Sequence, residues 1–176
     1  MDAIIDDLAA QHAELRSLIE RCTDADWSRQ TPCVGWDVAD VLLHLVQTDE
    51  FAAASARGDL DRFHNGFLGA ETSLTVDAAA AAQVEVERAI GAAAIAARWE
   101  QSSAALLAEL RAGDPHRRVP WVARRLSLQT LASTRLAESW IHTGDIAIAL
   151  DVELAPTNRL RHVTRLAWRT LPYAFA

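Results

Sequence analysis

The segment "RLAESWIHTGDIAIAL", Arg135 to Leu150, sets Arg135, Glu138, His142 and Asp145 at intervals of three or four, an ionisable stripe along an otherwise apolar helix. Glu138 and His142 stand four apart, so on a helix their side chains lie one turn apart on one face and can chelate a single ion. A second histidine, His44, is surrounded by Val41, Leu42, Leu43, Leu45 and Val46, which predicts its burial. Two histidines and one carboxylate leave coordination positions open, as a catalytic divalent ion requires in order to bind water or a thiolate. Spacing alone is weak evidence. An acid four residues before a histidine occurs again at Asp40 and His44, where helix capping by Asp40 is sufficient, and a buried histidine needs no more than a hydrogen bond in the core. The combination across two helices is what raises the metal reading.

Other residues fall around this set. Asp145, one turn beyond His142, can orient that imidazole, act as a general base, or lie on the helix surface paired with an arginine. Arg135 can hold an anionic substrate or form a surface ion pair. Gln47, on the helix of His44, is read with Arg135 as a substrate-binding candidate. Cys33 has no second cysteine at ligand spacing and is expected to be a small buried loop residue rather than a ligand or redox group. His12, His64, His116 and His162 lack comparable partners and read as ordinary surface or pocket residues, His64 being the exception to watch.

The elements that must position these groups are helical. Apolar spacing predicts a first helix from Asp2 to Cys22, followed by the turn "TDADWSRQTPCVGW" with Trp27 and Trp36 as packing anchors. Asp37 and Asp40 form a capping-box pattern at the start of a second helix, which runs to Arg57 and stops at Gly58. "GDLDRFHNGFLGAETSLT" shows no periodicity and reads as a long crossing over the mouth of a site. Asp77 is expected to cap a third, Ala-rich helix continuing through Ile90, Ile95 and Trp99 to Leu110. A fourth helix ends near Leu150, a shorter element follows from Pro156, and no strand is predicted. The fold class is all-α, a bundle whose sites are built by side chains pointing inward from facing helices.

Composition narrows the function. With 176 residues the chain can bury a core without metal, so a metal would serve chemistry rather than folding. A net charge of −7 argues against nucleic acid. No apolar run is long enough to span a membrane, "MDAIIDDLAA" lacks the features of a secretory signal, and two cysteines suit a reduced, cytoplasmic protein.

Two stretches carry a family resemblance. "DADWSRQTPCVGWDVADVLLHL" resembles the signature "W…TPCPGWTVxDVxxHL", and "RLAESWIHTGDIAIAL" resembles "ExWxHxxDI", both of the DinB/YfiT-like superfamily in its mycothiol-dependent maleylpyruvate isomerase-like branch. The first supplies His44, the second Glu138 and His142. The resemblance implies a DinB-like four-helix bundle over residues 1–150 with a long crossover connection, and a divalent metal, zinc or nickel, on those three residues. It also implies mycothiol as the thiol co-substrate in isomerase, transferase or detoxification chemistry on a small electrophile. Residues 151–176 are then a C-terminal helical extension, either a reduced form or the start of the region with which relatives continue. "CVGW" in place of "CPGW" leaves the turn and cap intact. The rival readings are a metal-binding module without catalysis, dimerising through the Ala-rich helix, and a diverged member using the metal as Lewis acid in specialised biosynthesis.

Overall fold

The structure, a computed structural model, describes residues 1–60, 75–122 and 125–174, with side chains of the last helix described as far as Leu171. Helix α1, Asp2–Ile19, buries Ile4, Ile5, Leu8, Leu15, Leu18 and Ile19 on one face. Helix α2, Val38–Arg57, is buried around nearly its whole circumference and begins at the predicted capping box. Asp37 accepts from the Asp40 amide at 2.9 Å, and the Asp40 carboxylate accepts from the Asp37 amide at 3.3 Å. Gly58, at φ 85°, supplies the left-handed residue that ends α2. Helices α3 (Val76–Glu87), α4 (Ala92–Ala112), α5 (Leu128–Ala149) and α6 (Leu160–Ala174) follow.

The bundle consists of α1, α2, α4 and α5. Each of α1 and α2 packs against both α4 and α5, so α1 and α2 occupy one diagonal and α4 and α5 the other. The connection order is therefore not a simple up-and-down path. One apolar cluster gathers Leu15, Val41, Leu42, Leu45, Trp99 and Ile146, with Trp27 and Trp36 packed against it as anchors. A second gathers Ile4, Leu8, Leu106, Leu110, Leu131 and Leu136 towards the other end. No helix among the described residues is long and apolar enough to cross a membrane.

The expected third helix is two helices. A 3₁₀ turn at Arg88–Ile90 and Gly91, at φ 87° and ψ 149°, separate α3 from α4 in a backbone conformation that side-chain-bearing residues rarely adopt. Only α4 joins the bundle core in force, since α3 buries Ala80 and Val84 alone and leaves Val86 82% exposed. The cap of α3 is Thr75, whose hydroxyl accepts from the Ala78 amide at 3.2 Å, and not Asp77. Helix α1 ends at Ile19, short of Cys22. A small antiparallel pairing of Arg118–Val119 with Leu126–Ser127 was not expected, because two residues per strand leave no alternation to read. Residues 61–74, which carry most of the long crossing and His64, lie outside the described residues.

Buried polar groups mark the interior. Arg135 is 1% exposed and Asp49 0%, and their ion pair at 2.9 Å joins α5 to α2, with Arg135 also donating to Thr48 Oγ1 at 2.9 Å. His12, read as an ordinary surface or pocket residue, is a core residue, 2% exposed, edge-on to Trp99, with Ser139 Oγ 3.4 Å from its Nε2. Burial, aided by the charges of Arg135 and Arg16, lowers its pKa from 6.5 to about 3.

Breaking the ion pair from one side leaves a charge buried alone. Asp49→Ala should destabilise the fold by about 3–5 kcal/mol in urea unfolding, whereas the apolar pair Asp49→Leu with Arg135→Met should recover most of that loss. His12 is neutral in the folded chain at pH values where its unfolded counterpart takes up a proton. Its contribution to stability is therefore intact above pH 6.5 and is lost as pH falls towards 3, by about 1.4 kcal/mol per pH unit. His12→Asn should make unfolding free energy, measured between pH 7.5 and 5.5, fall less steeply than in the wild type.

Candidate metal centre

Helices α2 and α5 run antiparallel, as the pairings of His44 with Glu138 and His142, and of Asp49 with Arg135, require. Capping by Asp37 sets the start of α2, and two turns on His44 points between Trp36 and the ring of His142. Both ring centroids lie 5.1 Å from that of His44, and the two imidazoles stand at 79°. His44 is 8% exposed. Glu138 and His142 meet it from α5 at the helical interval read in the sequence.

The three donor atoms converge. Glu138 Oε2 lies 3.7 Å from His44 Nε2 and 3.6 Å from His142 Nε2, and the ligand atoms of all three residues lie within 4.8 Å of one another. Donors bound to one tetrahedral ion at about 2.0–2.2 Å are separated by about 3.3–3.6 Å, so both carboxylate–imidazole distances already stand close to ligand spacing. Charge favours the same outcome. Burial, with the charges of His142 and Arg135, lowers the pKa of His44 against the opposing pull of Glu138, which keeps the imidazole neutral as a ligand must be. For Glu138, burial acts to raise the pKa, but the adjoining imidazoles of His142 and His44 and the charge of Arg135 override it and hold the carboxyl well below the ordinary range. Its side chain is 41% exposed, so the donor cluster opens to solvent on the Glu138 side.

Behind His142 the chain provides a second layer. Asp145 Oδ2 lies 2.9 Å from His142 Nδ1, which leaves Nε2 facing the donor cluster. The same oxygen accepts from Cys33 Sγ at 3.2 Å, and Cys33 Sγ lies 3.9 Å from His142 Nδ1. Burial and the hydrogen bond to Asp145 push the Cys33 thiol up to about 11, so it is a protonated donor at neutral pH. The loop that delivers it is fixed by Thr31, whose hydroxyl donates to the Trp36 carbonyl at 2.8 Å, and by Gly35 at φ 82°. Asp145 also lines a groove of ≈ 430 Å³ between α5 and the connector to α6, walled by Trp140, Ile141, Ile148 and Leu154.

The sequence-derived candidates do not all gather here. His44, Glu138, His142 and Asp145 come together, as the stripe on α5 anticipated. Arg135 is not a surface pair, because its guanidinium lies inside the protein on Asp49 and Thr48. Gln47 is 5% exposed and its amide donates to the Gln83 carbonyl at 3.1 Å, tying α2 to α3. Cys33 was expected to be a plain packing residue, and its contact with Asp145 and His142 had no signal in spacing because more than a hundred residues separate them. Asp49 was missed for the same reason.

Residues 8–147 match the family described as the mycothiol maleylpyruvate isomerase N-terminal domain. The chain is 31% identical over 172 residues to two uncharacterized proteins of Mycobacterium tuberculosis, MT0041 of strain CDC 1551 / Oshkosh and Rv0036c of strain ATCC 25618 / H37Rv, with 96% of this chain covered. It spans 65% of the length of those relatives. The fold is similar to the crystal structure of the mycothiol-dependent maleylpyruvate isomerase and to that of a histidine-to-alanine mutant of that enzyme. Each match has a TM-score of 0.63 at 16% identity and covers 82% of this chain and 60% of the other. Through the match over residues 8–147 and the shared bundle, the chain belongs to the mycothiol maleylpyruvate isomerase N-terminal domain family within the DinB-like superfamily.

Proposed function

We propose that this chain is a divalent-metal-dependent enzyme that brings a small thiol, or water, to a small electrophilic substrate, with His44, Glu138 and His142 holding the ion. The observation that carries the reading is the convergence of two imidazole Nε2 atoms and one carboxylate on a point open to solvent beside Glu138. An N₂O donor set of this kind suits zinc first and nickel second. When bound, such an ion acts as a Lewis acid that lowers the pKa of a coordinated thiol or water. Mycothiol is the thiol that the family suggests. The low-lying pKa of His44 and the anionic Glu138 keep the donors ready at neutral pH without prior deprotonation.

Asp145 positions His142. Its Oδ2 accepts from His142 and Cys33, a contact that fixes the tautomer and ring angle of His142. The protonated Cys33 is a hydrogen-bond donor to this carboxylate and not a competing thiolate. Trp36, tilted over His44, covers that ligand on the side of the loop. The thiol or water therefore approaches from the Glu138 side, where the cluster is open.

His44→Ala and His142→Ala should each abolish stoichiometric divalent metal, measured by elemental analysis on protein without a histidine tag, while far-UV circular dichroism stays near the wild-type signal. Full metal retention in both variants would refute the ligand assignment. Asp145→Asn should keep a bound ion but weaken it, or the thiol-dependent turnover, by about 10–100-fold, as expected when a partner behind a ligating histidine is replaced. A titration with a competing chelator reads the affinity directly, and an unchanged affinity together with unchanged turnover would remove Asp145 from the centre.

A further inference from the structure

Away from the metal centre, a pocket of ≈ 460 Å³ opens where α6 crosses the N-terminal ends of α1 and α5. Its walls carry Arg165, Arg169 and His162 from α6 and Gln129, Thr130 and Ser133 from α5, and no acidic residue lines it. Arg165 and Arg169 are four apart on α6 and so present their guanidinium groups on one face. Among the described residues they are the arginines that make no ion pair or hydrogen bond. Elsewhere the acidic surface neutralises or occupies its arginines, as with Arg16 on Glu100 at 2.6 Å, Arg98 on Glu50 at 2.8 Å and Arg88 on Asp40 at 2.5 Å. Asp7, which approaches His162 at 3.3 Å, is taken up by His162 and by Arg161 at 2.9 Å.

Two unpaired arginines in one concave site are unusual in a chain of net charge −7. The start of α6 is held in place by Arg159, which donates to Gln11 at 3.0 Å and pairs with Glu14 on α1, so the pair is presented from an anchored helix. Forked guanidinium donors beside hydroxyl and carboxamide groups are suited to an oxyanion carried on a small polar molecule. We infer that this pocket binds a small oxyanion-bearing molecule, a phosphate or carboxylate compound, at a site separate from the metal centre. Thr130 and Glu138 are about 12 Å apart along the axis of α5, so the two sites share a helix without sharing residues.

Isothermal titration calorimetry at low ionic strength, with inorganic phosphate and with succinate as separate probes, tests this on the full chain. At least one probe should bind saturably at one site, more weakly as salt is added, and the tighter of the two tells phosphate from carboxylate recognition. Arg165→Gln with Arg169→Gln should weaken binding at least tenfold, while His142→Ala should leave it unchanged. Both arginines are exposed and unpaired, so the double variant should keep its helical signal; the single Arg169→Gln variant, expected to weaken binding several-fold, stands in if it does not. No saturable binding of either probe, binding indifferent to the arginine changes, or binding lost in His142→Ala would each overturn the proposal, the last by placing the anion at the metal centre.

Discussion

The ion pair between Arg135 and Asp49 ties α5 to α2 where no water can share the load. Both side chains are out of solvent, and the pair lies one turn of α5 from Glu138 and just over one turn of α2 from His44. Taking two charges out of water costs several kcal/mol per ion, and their attraction returns that cost only in good geometry. An apolar contact would hold the helices together without fixing how far one slides along the other. A directional pair, with Thr48 as a further acceptor for the guanidinium, does fix it. The spacing of the donors beside it depends on that register, because His44 comes from one helix and its partners from the other.

From that register the rest of the centre follows by layers. His142 is clasped between Glu138 in front and Asp145 behind, and Asp145 is in turn bonded to Cys33 from the loop that precedes α2. The Cys33 loop is itself closed by Thr31 and Trp36. The loop and α5 thus meet in one hydrogen-bonded chain that ends at an imidazole, and the orientation of that ring reports on both. Trp36 adds an apolar lid on His44. The result is a cluster in which, among the described residues, the two imidazoles are largely covered and Glu138 is half-exposed.

Much of this was legible in the sequence because it rests on local periodicity. Intervals of three and four placed Glu138, His142 and Asp145 on one face, the run around His44 gave its burial, and Asp37 with Asp40 gave the start of α2 to the residue. What escaped was carried by contacts between segments distant in the chain. Arg135 sits on the same stripe as Glu138 but points at Asp49 in the interior, and no spacing rule distinguishes an arginine that meets a buried acid from one that meets a ligand. Gln47 and His12 escaped likewise. The break at Gly91 was missed for a different reason: an Ala-rich stretch keeps helical propensity on both sides of a single residue whose backbone has left the helix.

The diagonal placement of α1 and α2 has a consequence for the order of events in folding. Because α2 packs on α4 and α5 rather than on the helix before it, its neighbours come from later in the chain. His44 precedes Glu138 by 94 residues and His142 by 98, so the donor set closes only after a loop of that length has paid its closure entropy. A chain emerging from the ribosome would carry His44 as a lone imidazole until α5 has been made, so an ion held by the three donors would be captured only by the assembled bundle. On the proposed function, metal loading would in that sense be a check on completed topology.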